Sequence, residues 1–176
     1  MKRKPMLNIL TSLAIWTSIF CAVVIVARAQ TDDPNCETAQ CLKDVAAARR
    51  GTAKYHEFQR ALDDGFTQVS PCIEIPGLGA MGIHFLNPAR VDLVADPGEP
   101  ELLLYIPDDK GTMQLVAVEY SVPDMGQGRP TLFGLPMQGP EDRGGGPAFE
   151  RHAWIWQHNR AGMFQPFNPR LSCPGS

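Results

Sequence analysis

Four local signatures are missing from the 176 residues: HExxH, GxSxG, CxxC and a glycine loop ending in GK[ST]. Their absence removes the shortest routes to a zincin, a serine-hydrolase elbow, a dithiol redox pair and a phosphate loop. Ser70, Ser121 and Ser172 sit in no nucleophile context. Basic residues are also short, with 16 Lys and Arg against 19 Asp and Glu. Nucleic acid is therefore not an expected partner, since such binding rests on a basic footprint. No internal repeat or second hydrophobic block marks a second domain. Histidine and tryptophan number only four and three, which makes their placement informative.

Long apolar runs are equally scarce. The one present extends from about Ile9 to Ala27, after Lys2, Arg3 and Lys4 and before Ala27-Arg28-Ala29. This pattern predicts a signal peptide over residues 1–29, cleaved before Gln30. The run is also close to the length that spans a bilayer, so an uncleaved anchor, and with it membrane attachment, is the alternative. Cys21 lacks the small residues that precede a lipidated cysteine. Either way residues 30–176 form a single exported domain, periplasmic or extracellular. Without the first 29 residues, 12 basic side chains face 19 acidic ones, a net charge of −7.

Four cysteines remain in that domain: Cys36, Cys41, Cys72 and Cys173. An even count in an exported domain predicts two disulfides, for which three connectivities exist. The favoured pairing is Cys72 with Cys173 and Cys36 with Cys41. The longer bridge closes a loop of about 100 residues, worth about 4–5 kcal/mol in the chain-entropy account.

The expected fold is α+β, with one long N-terminal helix packed on a curved antiparallel sheet of about four strands. The helix spans about 37–64, with Asn35 or Thr38 as N-cap and Gly65 as its stop. Leu42, Val45, Thr52, Tyr55 and Leu62 supply an apolar stripe, and Gly51 is a possible kink. Strands are expected at Ile83–Pro88, Glu101–Ile106 and Met113–Val122, the last two forming a hairpin through Pro107-Asp-Asp-Lys-Gly111. A fourth covers His152 to His158, placing His152, Trp154, Trp156 and His158 on one face by alternation. Residues 123–147 hold seven glycines and five prolines and read as a long loop.

Ionisable residues stand out where strand faces are otherwise apolar. Glu119 shares its expected face with Met113, Leu115 and Ala117, and His84 and His152 occupy similar settings. A buried carboxylate or imidazole is costly unless hydrogen-bonded, paired or bound to a cation. His84, Glu119 and His152, with Glu101 as a fourth, therefore make a candidate set for a divalent metal such as zinc, manganese, iron or copper. Met81, Met137 and Met163 would also suit copper. Without metal the same groups would serve as structural hydrogen-bonding residues or as an acid–base pair.

The blocks GAMGIHFLNP (79–88), PELLLYIP (100–107), LVAVEY (115–120) and HAWIWQHNRAGMFQPFNPRLSC (152–173) resemble a family of small exported bacterial proteins of unknown function. The resemblance implies an exported single domain with Cys72 and Cys173 at matching positions and His84, Glu101, Glu119 and His152 within shared blocks. It implies no activity. In layout the expected fold is similar to cystatin-like and nuclear-transport-factor-like domains. The expected function is a small binding domain whose helix–sheet pocket, lined also by Trp154 and Trp156, holds a divalent metal or small ligand. The alternatives are an envelope hydrolase or lyase using a His/Glu pair, and an interaction module presenting Trp154, Trp156, Phe164 and Phe167.

Overall fold

From position 79 onward strands supply most of the regular secondary structure of the described residues. The computed structural model describes residues 36–175; the signal peptide or anchor expected at 1–29 lies outside the described residues. Helix α1 runs Ala39–Thr52, a 3-10 turn follows at Ala53–His56, and α2 covers Phe58–Asp63. The strands are β1 (Thr67–Gln68), β2 (Ile73–Ile75), β3 (Gly79–Leu86), β4 (Leu102–Pro107) and β5 (Met113–Pro123). After them come β6 (Thr131–Leu132), β7 (Leu135–Pro136), β8 (Gln138–Asp142) and β9 (Pro147–Ala153). Seven form one antiparallel sheet in the order β1-β3-β4-β5-β9-β8, with β2 also paired to β3, while β6 and β7 make a separate hairpin.

This architecture corrects the expected one. The chain is mostly antiparallel sheet, not one long helix laid on about four strands, and the cystatin-like and transport-factor-like layouts fall with that expectation. The helix breaks at Glu57, whose backbone turns extended (φ −84°, ψ 95°). Tyr55 is fully buried there and its hydroxyl donates to Asp64. The apolar stripe is correspondingly short. Val45, Ala48, Thr52 and Tyr55 are buried, whereas Leu42 and Leu62 are exposed. Thr38 caps α1 by accepting from the Cys41 amide, and Gly65, with φ of 94°, follows the helical segment at its end.

The glycine- and proline-rich segment 123–147 contributes β6, β7 and β8. Strand β8 is the sheet's edge, the position where proline and glycine are tolerated, and its register shifts between Gln138 and Glu141 to pass Gly139 and Pro140. The strand expected at 152–158 instead ends at Ala153. The Ile155 amide donates back to Ala153 O and the Trp154 amide to Met163 O, so the ladder is abandoned.

Both faces of the sheet are covered, by different means. Phe85, Leu103, Tyr105, Val118 and Tyr120 pack against α1 and its following turn. On the other face Leu102, Leu104, Val116, Ala117 and Trp154 gather with Ala80, and Leu171 and Cys173 pack against them. A bulge in β5 leaves Val116 unpaired, since Leu104 faces Ala117 and Tyr105 faces Leu115. Strict alternation therefore fails at Leu115, which joins the helix-side core while Glu119 keeps to the opposite face. Disulfides Cys36–Cys41 and Cys72–Cys173 are both formed; the second ties the C-terminal segment to the chain entering β2. Two disulfides are consistent with an exported protein. Among the described residues, no helix is long and apolar enough to cross a membrane.

Gly51 lies in α1 one residue before its end. A Cβ there would lie 1.9 Å from the Gly98 carbonyl oxygen, so the residue permits close approach of the 96–99 turn. Gly51→Ala is expected to lower unfolding free energy by about 1–3 kcal/mol through overpacking, although alanine is the better helix former. Denaturant unfolding of the purified protein checks this; an unchanged or raised midpoint would contradict the packing role.

Candidate metal centre

Three strands bring the site together. Glu119 on β5 lies directly opposite His152 on β9, and on its other side opposite Leu102 on β4. His84 stands on β3, with β4 between it and Glu119. Alternation puts His84, Glu119 and His152 on the face away from α1, and each is at most 6% exposed. His84 Nε2 is 3.4 Å from Glu119 Oε2, and His152 Nε2 is 3.3 Å from Glu119 Oε1. One donor atom from each residue falls within 4.8 Å of the other two.

Burial sets the charge states. It depresses the His84 imidazole below its usual range despite the nearby Glu119 carboxylate. It pushes His152 down to about 3, with the charges of Arg143 and Arg151 adding to the effect. Glu119 is raised by its own desolvation, against the pull of His84 and Arg143. Both rings are therefore neutral near pH 7, and the His–Glu contacts are not ordinary ion pairs. They are also longer than the roughly 2.7–2.9 Å of a charge-assisted hydrogen bond.

The hydrogen bonds around His84 fix its tautomer. Ser70 Oγ donates to Pro71 O (2.8 Å) and accepts from the His84 amide (3.1 Å). With its one proton so used, its 3.0 Å contact to His84 Nδ1 requires the imidazole proton on Nδ1, an assignment that follows from the network. His84 Nε2 then presents a lone pair to a Glu119 oxygen. His152 Nε2 is buried without a hydrogen-bond partner among the described residues. A single proton on Glu119 would satisfy one imidazole and leave the other. A divalent cation satisfies all three groups, because neutral imidazole and carboxylate are the donors it takes. The donor set could hold a metal ion.

Glu119 and His84 line an open cleft of about 590 Å³, whereas His152 lies behind them. Ser70, Ser121, Arg143 and Glu150 add its polar groups; Val69, Ile73, Met81, Leu86 and Leu102 supply apolar wall. Arg143, in the glycine-rich turn between β8 and β9, pairs with Glu150 through Nε (2.9 Å) and with Glu141 through Nη2 (3.1 Å). The cleft thus opens on the helix-free face, correcting the expected pocket between helix and sheet. On the helix side Tyr55, Phe85, Tyr105 and Tyr120 belong to a packed core.

The other expected site residues lie apart. Glu101 precedes β4 by one position and so points to the helix side, where its Oε2 accepts from the Ser121 amide. Trp154 is 3% exposed and donates to Gln165 O. Trp156 turns to the helix side, donates to Thr52 Oγ1 and meets His56 edge-on. Neither indole lines the cleft. Phe164 is buried and Phe167 half-buried, so the four rings do not make an exposed aromatic patch. Of the three methionines, Met81 reaches the cleft, while Met137 and Met163 belong to the helix-side core. Ser70, Arg143 and Glu150 were missed because no local pattern marks them; only the fold brings them to the site.

Comparison with protein-family models, curated proteins and solved structures gives no match, so the geometry alone carries the functional reading.

Burial raises Glu101 to about 7, against the hydrogen bond from Ser121. A folded carboxyl held above its unfolded value resists ionisation, so folding loses stability as pH rises from about 4.5 to 7. Glu101→Gln keeps the acceptor and removes that cost. Its stability relative to wild type should grow across this window, by on the order of 1–3 kcal/mol at pH 8. Denaturation curves at pH 4.5 and 8 test this; a pH-independent difference would contradict it.

Proposed function

We propose that this chain is an exported binding domain whose His84, Glu119 and His152 hold a divalent transition metal at the base of an open cleft. The observation that carries this reading is the set of three buried donors within 4.8 Å, one imidazole nitrogen of which has no hydrogen-bond partner among the described residues. Two histidines and a glutamate form the donor set of an open zinc site, with coordination left for water or a ligand. Ser70 acts from the outer layer by holding His84 in the tautomer that ligates through Nε2. Two disulfides and the signal-like N-terminus support a periplasmic or extracellular setting. Kinship with the small exported bacterial family belongs to the same proposal.

A second reading, a hydrolase or lyase, draws on the chain of contacts from Ser70 through His84 to Glu119. It is the weaker one. Ser70 Oγ has a second acceptor in Pro71 O at 2.8 Å, and His152 lies outside the cleft lining.

Protein purified without chelator should contain close to one equivalent of metal, and the His84→Ala/His152→Ala variant none, by elemental analysis. Ser70→Ala should retain the site with about 10–100-fold weaker affinity, measured by competition with a chromophoric chelator. Equal metal content in native and double variant, both folded by circular dichroism, would overturn the assignment.

A further inference from the structure

The cleft above the proposed centre has a composition that specifies its occupant. Five apolar side chains, Val69, Ile73, Met81, Leu86 and Leu102, share it with Glu119, Arg143 and Glu150. Val69 is 53% exposed, so the apolar wall continues to the rim. The charges can be counted. A divalent ion held by two neutral imidazoles and one carboxylate keeps one net positive charge. Arg143 is shared between Glu150 at 2.9 Å and Glu141 at 3.1 Å, and Glu141 lies outside the cleft lining. The positive charge of the centre itself faces an apolar space, and a monoanion with a hydrocarbon body complements both features. The volume of about 590 Å³ lies within the range of small-molecule sites.

We infer that the cleft binds a small aliphatic carboxylate, its oxygens on the metal held by His84, Glu119 and His152 and its chain along Val69, Ile73, Met81, Leu86 and Leu102. This rests on the metal reading given above. A neutral alcohol would leave the positive charge unmatched, and an amine would oppose it. A short acid would leave the apolar wall wet. Arg143 supports the anion preference set by the centre. Its guanidinium stands at the edge of the same cleft, and without it Glu150 would present an uncompensated negative charge there.

The test uses the full domain loaded with Co²⁺, whose visible absorption reports both metal binding and changes in coordination. Acetate, butyrate, hexanoate, hexanol and hexylamine are titrated into the loaded and the metal-free protein. The expected result is that the three acids perturb the cobalt spectrum, with affinity rising about fourfold for each buried methylene. Hexanol and hexylamine should leave it unchanged, and metal-free protein should bind hexanoate at least tenfold more weakly. Arg143→Ala should weaken hexanoate, compared at equal cobalt loading. If cobalt binds but hexanoate is no better than acetate, or hexanol competes equally, the carboxylate site is overturned and the metal centre stands. If no cobalt binds, the centre itself is overturned, and the inference with it.

Discussion

Glu119 imposes the constraint around which the helix-free face is arranged. A carboxylate 5% exposed in the middle of a seven-stranded sheet is expensive to desolvate. Two imidazoles from neighbouring and next-neighbouring strands meet its oxygens, and both are themselves held neutral by burial. Neutral rings cannot repay a buried negative charge by ion pairing. The arrangement could hold a cation, since one donor atom from each residue lies within 4.8 Å of the other two.

The rest of the fold serves that arrangement through division of labour between two faces. Helix α1 and the turn after it fill the side bearing Phe85, Tyr105 and Tyr120, which makes that side a closed core. The opposite side is covered only in part, by Trp154 and the C-terminal segment tied down through Cys72–Cys173. Space remains over His84 and Glu119, and the Arg143 turn borders it. The bulge at Val116 matters here. Without it, Leu115 would share the face of Glu119; with it, the helix-side core gains a leucine.

The triad was legible because a polar residue on an apolar strand face is a local signal, and alternation survives the loss of long-range information. Glu101 misled because one position of offset sends a side chain to the other face. Trp156 misled for a different reason: the Ile155 amide turns back to Ala153 O and ends the strand before the alternation reaches it. Segment 123–147 carries loop composition, yet an edge strand accepts glycine and proline that a central strand rejects. The helix was overextended because its break depends on Tyr55 being drawn into the core, a tertiary event. Ser70 and Arg143 had no local signature at all, since each acquires its role from residues 14 or more positions away or across a hairpin.

The central claim is that one cation sits between His84, Glu119 and His152. Anomalous X-ray scattering from crystals of protein purified without chelator, collected on either side of the zinc edge and then of other first-row edges, addresses it most directly. The account predicts one strong anomalous peak about 2.0–2.2 Å from an oxygen of Glu119 and the Nε2 atoms of His84 and His152. A position filled by water, with Glu119 protonated and bonded to one ring, or a peak located elsewhere, would contradict it.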